Sequence, residues 1–76
     1  MTTFRFEPER LRSARLRCGV SQAAAARACG MFKQTMSKIE AGRVRPYADT
    51  IVTLAQYYGV APQDFFSQES NTVVDI

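Results

Sequence analysis

Residues 19–42 read GVSQAAAARACGMFKQTMSKIEAG and contain two short helix-forming stretches joined by a glycine. The first begins at Ser21, a residue type that caps helix N-termini, and continues through a run of alanine, the strongest helix former. It ends at Gly30. The second covers residues 32–41 and stops at Gly42, because glycine readily adopts the left-handed conformation that ends helices. Two short helices joined through a glycine-containing turn are typical of a helix-turn-helix motif.

The helix predicted over residues 32–41 has two chemically different faces. Met36, Ile39 and Glu40 are three and four residues apart, so they share the face that we expect to pack on the domain. The opposite face presents polar side chains and no carboxylate: Lys33, Gln34, Ser37 and Lys38. In the major groove, lysine donates to guanine and glutamine contacts adenine through two hydrogen bonds. This face therefore suits DNA, although any amphipathic surface helix also presents a polar outer face.

The rest of the sequence predicts three more helices, over residues 8–18, 48–58 and 62–66. A buried stripe is expected on each of the two longer ones: Leu11, Ala14 and Cys18 on the first, and Ile51, Leu54, Ala55 and Tyr58 on the second. The last supplies two aromatic rings. With the central motif, these segments predict a compact all-α fold of five helices.

The two ends of the chain are candidates for short strands. Residues 2–6 (TTFRF) alternate apolar and polar side chains, and residues 72–76 (TVVDI) are β-branched. An isolated strand pair would be marginally stable, which leaves open a strand given to a symmetric partner or a disordered tail. The expected organisation is an N-terminal arm (1–7), a helical domain (8–66) and a C-terminal tail for dimerisation or without order (67–76).

Charge is distributed unevenly along a chain whose formal net charge is +3. Nine of the ten basic residues lie between Arg10 and Arg45, a span with one acid, Glu40. Residues 46–76 contain four acids and no base. A concentrated basic block favours a polyanionic partner, and the alternative is a solvated helical surface.

Several function classes find no support in the sequence. Histidine is absent, and so are the common nucleophile, phosphate-loop and zinc motifs, so no enzyme, cofactor or metal site is expected. No apolar run approaches the roughly 20 residues of a membrane helix, and the start lacks a signal peptide, which predicts a cytoplasmic, nucleoid-associated protein. Cys18 and Cys29 are expected to be small core residues rather than redox or metal groups.

Residues 11–66 resemble the helix-turn-helix domain of the Cro/repressor family, the XRE-like transcriptional regulators of bacteria and phage. Gly19 and the following VSQ are similar to the family's G-L-S-Q at the start of its second helix. Further motif positions match in register: Ala26, Gly30, Ser37, Ile39, Glu40, Gly42, Pro46, Leu54, Ala55, Gly59, Val60 and Phe65. The resemblance implies a lambda-repressor-like DNA-binding domain with the helix at 32–41 in the major groove.

The resemblance also implies roles for individual side chains. Base edges would be read by Lys33, Gln34 and Lys38, with Ser37 nearby. Gln22 would touch a phosphate and brace the recognition helix, and Arg43 and Arg45 would grip the DNA backbone. Arg15 and Glu40 would form a buried or half-buried ion pair between the first and third helices, and the alternative is plain surface charge.

Three positions depart from the family pattern. Ala25 replaces a large aliphatic residue, so aromatic side chains are expected to fill the core. Phe32 and Tyr47 replace the Ser or Thr caps of the third and fourth helices, and losing such a cap typically costs about 1 kcal/mol. Phe32 would either pack beneath the turn with Met31 or touch a thymine methyl or sugar, and the second use is favoured because the family residue there lies close to DNA.

These observations predict a sequence-specific regulator of transcription, a repressor or controller, that binds a palindromic double-stranded DNA operator as a homodimer. Its half-sites would lie about one helical turn, ~34 Å, apart. The alternative is a protein-interaction module such as an antitoxin, whose main partner is a protein. Tyr57, Phe66 and the final residues would supply the apolar patch that such a module needs.

Overall fold

The computed structural model describes residues 2–70 of the chain, with the side chains of residues 3–68. Within this part are four α-helices, a 3-10 turn and two strands. In chain order these are β1 (Thr2–Phe6), α1 (Pro8–Arg17), α2 (Gln22–Ala28), α3 (Lys33–Glu40), α4 (Ala48–Tyr58), the 3-10 turn Pro62–Phe65 and β2 (Phe66–Ser70). The fold is mostly helical, as predicted. No helix in the described part has the length and apolar character needed to cross a membrane.

The turn between α2 and α3 is built as the sequence predicts. The Ser21 hydroxyl accepts a hydrogen bond from the Ala24 N–H at 3.0 Å and so caps α2. Gly30 has a φ of 72°, a left-handed conformation in which a side chain would be strained. Directly after Gly30, the Met31 N–H donates to the Ala26 carbonyl at 2.9 Å. These local bonds fix where α3 begins.

Every helix and the 3-10 turn contribute to a single core. Its buried apolar members are Leu11, Ala14, Ala25, Ala26, Met36, Ile39, Ile51, Leu54, Ala55, Tyr58 and Phe65. The buried stripe predicted for α4 is confirmed. Two aromatic side chains, Tyr58 and Phe65, lie in this core, which also contains the small Ala25.

The two cysteines differ from the sequence expectation. Cys18 is exposed at the end of α1, where its Sγ donates to the Tyr58 carbonyl at 3.5 Å, so its prediction as a core residue is wrong. The buried residues of α1 are Leu11, Ala14 and Arg15, so the stripe continues with Arg15 and does not reach the C-cap residue Cys18. Cys29 is half-buried against the core, and burial raises the pKa of its thiol.

The fifth predicted helix is a 3-10 turn of four residues, so the prediction of five helices is wrong in this respect. Phe66 leaves the turn with extended backbone angles, φ −120° and ψ 150°, and begins β2. Because its backbone enters a strand pair, the chain cannot continue as an α-helix.

A terminal strand forms at residues 2–6, and its partner is a distant segment of the same chain, residues 66–70. β1 pairs antiparallel with β2, with Phe6 opposite Phe66 and Phe4 opposite Gln68. Residues 67–70, which the sequence assigned to a tail, therefore join the N-terminal arm in one sheet. The strand predicted at residues 72–76 lies outside the described residues.

Contacts between the two strands and with the helical domain hold this strand pair in place. The Phe6 and Phe66 rings meet edge to face, with centroids 5.8 Å apart. The Glu7 N–H donates to the Phe65 carbonyl at 2.8 Å, and the Ser67 hydroxyl donates to a Glu7 carboxylate oxygen at 2.6 Å. Arg10 of α1 donates to the Phe66 carbonyl at 3.0 Å. A two-stranded sheet, marginal by itself, is thereby fixed to the domain.

A buried ion pair joins three helices. Arg15 of α1 donates from Nε to Glu40 Oε2 at 2.7 Å and from Nη2 to Glu40 Oε1 at 3.1 Å. Gln22, the first residue of α2, donates to the same Oε1 at 3.0 Å. Arg15 Nη1 also donates to the Val20 carbonyl at 2.9 Å. The hydrogen bond to Glu40 raises the pKa of Arg15, and its effect exceeds the opposing effect of burial.

Removing one partner of this pair should be strongly destabilising. The two side chains are 10% and 3% exposed, so Arg15→Leu or Glu40→Leu leaves a buried charge without its counter-ion. We expect each change to lower the free energy of unfolding by about 3–5 kcal/mol, whereas the double variant recovers much of the loss. Urea unfolding followed by circular dichroism measures both effects. Arg12→Leu on the exposed side of α1 is the matched control and should change stability by less than about 0.5 kcal/mol. Additive losses in the double variant would contradict the prediction.

Tyr58 should make stability depend on alkaline pH. Its hydroxyl is buried and has no hydrogen-bond partner among the described residues, and burial raises the pKa of Tyr58 well above its ordinary value. Above about pH 10 the unfolded chain loses the phenolic proton while the folded chain retains it, so stability falls as pH rises. Tyr58→Phe should reduce this fall while leaving the profile between pH 6 and 8 parallel to the wild type. Urea midpoints across pH 6–11 provide the measurement, and equal alkaline slopes in the two proteins would refute it.

Candidate nucleic-acid interface

The exposed face of α3 is entirely polar. Its exposed side chains are Lys33, Gln34, Thr35, Ser37 and Lys38, while Met36, Ile39 and Glu40 are buried. At about 100° per residue, Gln34 and Lys38 project nearest to the direction opposite the buried side. Lys33 and Ser37 lie toward one edge of this face, and Thr35, which the sequence analysis missed, lies toward the other. The hydroxyl of Thr35 is the signal that could have found it, because serine and threonine can both hydrogen-bond to base edges.

The buried side of α3 anchors it to the rest of the domain. α3 packs against both α1 and α2. Its last residue, Glu40, bonds to Arg15 and Gln22 through the buried ion pair. Met36 and Ile39 are 0% and 2% exposed and anchor its inner side. The outer side chains are therefore presented on a rigid support.

Phe32 lies at the outer start of this helix. Its ring is 79% exposed, so the alternative in which it packs beneath the turn is wrong. Met31, half-buried against the core, takes the inner position instead. The Phe32 carbonyl accepts from the N–H groups of Thr35 and Met36 at 3.0 and 3.1 Å, and no side-chain cap bond is made. An aromatic ring stands in solvent at the edge of the polar face.

Gln22 forms a hydrogen bond with the buried C-terminal residue of α3. It is half-buried, and its amide nitrogen donates to Glu40 at 3.0 Å. This bond links the N-terminus of α2 to the C-terminus of α3, which is the bracing role expected of it. Its contact with phosphate stays a prediction.

The loop after α3 carries the next positive charges. Arg43 and Arg45 are both exposed, and the Arg43 N–H donates to the Lys38 carbonyl at 2.9 Å, which fixes the loop to the end of the helix. Val44 and Tyr47 are 41% and 82% exposed. Sequence reasoning treated Tyr47 only as an unusual helix cap. Its exposure depends on how the loop packs, and no local sequence signal indicates it.

The surface formed by α3 and the loop after it is positively charged. Lys33 and Lys38 lie on α3, and Arg43 and Arg45 lie on the loop that follows. The nearest acid in the sequence, Glu40, is buried and paired with Arg15. Its negative charge is therefore compensated inside the domain. The surface combines positive charge with hydrogen-bond donors, which suits a polyanion.

A comparison with protein families matches residues 9–65 to the family described as "Helix-turn-helix domain". Comparisons with curated proteins and with solved structures found no match. The matched span includes the complete α2–turn–α3 unit and covers most of the chain. The chain therefore belongs to the helix-turn-helix domain family, of the XRE-like type that its sequence resembles.

Proposed function

We propose that the protein is a transcriptional regulator that binds double-stranded DNA sequence-specifically and inserts α3 into the major groove. The observation that supports this proposal is the outer face of α3. It exposes polar side chains without any acid and continues into a basic loop. Membership of the helix-turn-helix domain family suggests a DNA-binding regulator, and this family is typically non-enzymatic.

Base edges are read from the middle of the exposed face. Gln34 makes two hydrogen bonds to adenine, and Lys38 donates to guanine. Lys33 and Ser37 reach neighbouring bases from the edge of the same face. Phe32, at the start of the helix, touches a thymine methyl group or a sugar.

Phosphate contacts position the domain on the duplex. Arg43 and Arg45 lie on the loop directly after the recognition helix and grip the backbone, and Gln22 supports this contact from the start of α2. Such contacts carry little sequence information but supply much of the affinity, and they weaken with added salt.

A homodimer on a palindromic operator follows from the size of the interface. One domain offers one helix to one groove, and a single module buries limited surface. Two copies related by a two-fold axis would read two half-sites about one helical turn, ~34 Å, apart. Occupying such an operator would make the protein a repressor or controller of the adjacent gene.

The alternative, a protein-interaction module such as an antitoxin, needs an outward apolar patch. Tyr57 is 40% exposed, but Phe66 is half-buried with its ring against Phe6. Phe66 therefore offers only part of its side chain to such a patch, and the final residues, 71–76, lie outside the described residues. The exposed face of α3 consists only of polar side chains, which supports DNA binding, and we therefore prefer that function.

Variants of the side chains proposed to read base edges should change sequence preference, whereas variants of those proposed to bind phosphates should change the salt dependence of binding. Gln34→Ala and Lys38→Ala should relax the preferred sequence, at about 1–3 kcal/mol per bidentate contact, because they remove groups that read base edges. Arg43→Ala and Arg45→Ala should weaken binding to all sequences alike and lower the salt slope by about 1 each. Selection from randomised duplexes identifies the preferred sequence, and titrations at several salt concentrations give the slopes.

Arg12→Ala, which removes one exposed charge from α1, is the control for nonspecific charge loss. It should leave both the selected sequence and the salt slope close to wild type. Unchanged sequence preference and unchanged salt slopes in all four interface variants would overturn the proposed function.

Phe32→Ser tests the ring at the start of α3. Because the ring is 79% exposed and serine caps helices well, stability should be kept or rise by about 1 kcal/mol. The selected sequence should change at the position next to the ring. Thermal unfolding and repeated selection measure the two effects, and an unaltered selected sequence would refute the contact of the ring with DNA.

A further inference from the structure

The outer face of α1 carries a stripe of four exposed side chains of different character. Its members, spaced by four, three and one residues, are Glu9, Ser13, Leu16 and Arg17. This spacing keeps them on one side of a helix. Leu16, with 55% of its surface exposed, is the large apolar side chain of this α1 stripe. The other side of α1 is buried in the core, so the stripe faces away from the domain.

The two charged members of the α1 stripe are not neutralised within the domain. Neither Glu9 nor Arg17 forms an ion pair or a side-chain hydrogen bond among the residues that the structure describes. They lie eight residues apart, about 12 Å along the helix axis, which is too far for them to pair with each other. Both charges suit the helix dipole, since Glu9 lies in the first turn and Arg17 in the last. They remain available to a partner outside the domain.

Ser13 lies midway between these two charges, four residues from each. When two copies of a helix pack antiparallel about a two-fold axis, the residue at the axis meets its own counterpart, and residues equally far on either side of it lie opposite each other. With the axis at Ser13, Glu9 of each copy lies level with Arg17 of the other. The contact then contains two pairs of opposite charges, and the small serine lets the two helices approach closely.

A groove of about 470 Å³ runs beside the α1 stripe. Its lining includes three members of the stripe, and the remaining lining residues come from α1 and the segment around the 3-10 turn: Arg10, Ala14, Val60, Asp64 and Phe65. Three of these five are apolar. Counted with the stripe, the lining holds two bases and two acids. Such a mixed surface can face a copy of itself without net repulsion between like charges.

The other exposed helix faces suit a second copy less well. The face of α3 and the loop after it expose four bases and no acid, so this surface would repel itself across a two-fold axis. The outer face of α4 exposes Val52 and Tyr57 at 43% and 40%, but its one charge is that of Asp49. It therefore lacks opposite charges that would fix the register of two copies. A polyanion is a poor partner for the α1 stripe, because the stripe carries an acid.

We propose that two copies of this chain associate through the α1 stripe, antiparallel about a two-fold axis at Ser13, with Glu9 of each copy paired to Arg17 of the other. Leu16 of each copy packs on the second helix beside the two serines. The inference rests on the proposed function and deepens it, since it assigns the homodimer a surface distinct from the recognition face of α3.

Charge reversal in the full chain, followed by sedimentation equilibrium, tests this contact. Glu9→Arg and Arg17→Glu should each raise the dissociation constant of the dimer about ten-fold, because each change turns two attractive contacts into repulsive ones. An equimolar mixture of the two variants should recover an affinity close to that of the wild type. In the mixed dimer, every arginine at these two positions faces a glutamate. Recovery would also show that both variants are folded.

Arg27→Glu is the matched control, because it reverses an exposed arginine on α2, outside the α1 stripe. It should leave the dissociation constant within about two-fold of the wild type. Circular dichroism and thermal melting of each variant report on folding. On randomised duplexes, each single reversal should select the same half-site as the wild type but lose the preference for a fixed spacing between two half-sites.

The outcomes separate this inference from the proposed function. If the wild type is a dimer and both reversals dimerise equally well, the α1 contact is overturned and the proposed homodimer stands. If Val52→Asp dissociates the dimer while the α1 reversals do not, the outer face of α4 is the interface and the α1 contact is again overturned. If both reversals are folded monomers that stay monomeric when mixed, the antiparallel register is overturned.

The oligomeric state of the wild type decides the remaining case. If it stays monomeric at every concentration tested and on DNA, the α1 contact and the proposed homodimer fail together. The DNA contact of α3 is judged separately, by the sequence selection of the Gln34 and Lys38 variants.

Discussion

The paired charges of Arg15 and Glu40 set the geometry of the whole helical unit. Arg15 comes from α1, Glu40 ends α3, and Gln22 from the start of α2 bonds to the same carboxylate. A buried ion pair is stabilising only when its geometry and hydrogen bonds are complete, because desolvating two charges is costly. The three helices must therefore pack in an arrangement that satisfies this pair. That arrangement decides which side of α3 remains outside, so a contact inside the domain orients the side chains proposed to read DNA.

The starts of the helices show how local stability is distributed around the interface. α2 begins inside the motif with a hydrogen-bonded serine cap, whereas α3 and α4 begin with Phe32 and Tyr47 and make no side-chain cap bond. Both rings are largely exposed, at 79% and 82%. An exposed aromatic residue in place of a polar cap, without compensating burial, is typical of positions kept for function. Both rings also adjoin the surface formed by α3 and its following loop.

The sequence predicted those parts of the fold that depend on neighbouring residues. Ser21, Gly30 and the buried stripe of α4 follow from capping, turn and periodicity rules that act within a few residues. The pairing of residues 2–6 with 66–70 joins segments about 60 residues apart, and local patterns carry no such information. The same pairing forces residue 66 into an extended conformation and shortens the last helix to a 3-10 turn. The face of α3 was predictable from periodicity, whereas the exposure of Val44 and Tyr47 depended on how the loop packs.

The strand pair also brings together charged residues that are far apart in the sequence. Along the sequence, Arg5 lies outside the basic block and next to Glu7 and Glu9, so the N-terminal segment looks weakly acidic. In the fold, Glu7 is bonded to Ser67, and Arg5 lines a groove with Arg43 and Arg45. A polyanion responds to charges grouped in space, within about a Debye length of 10 Å at 0.1 M salt, and not to their order in the chain. The fold therefore brings Arg5 to the same groove as Arg43 and Arg45, a proximity that the linear charge pattern does not show, because an antiparallel ladder between distant segments holds it there.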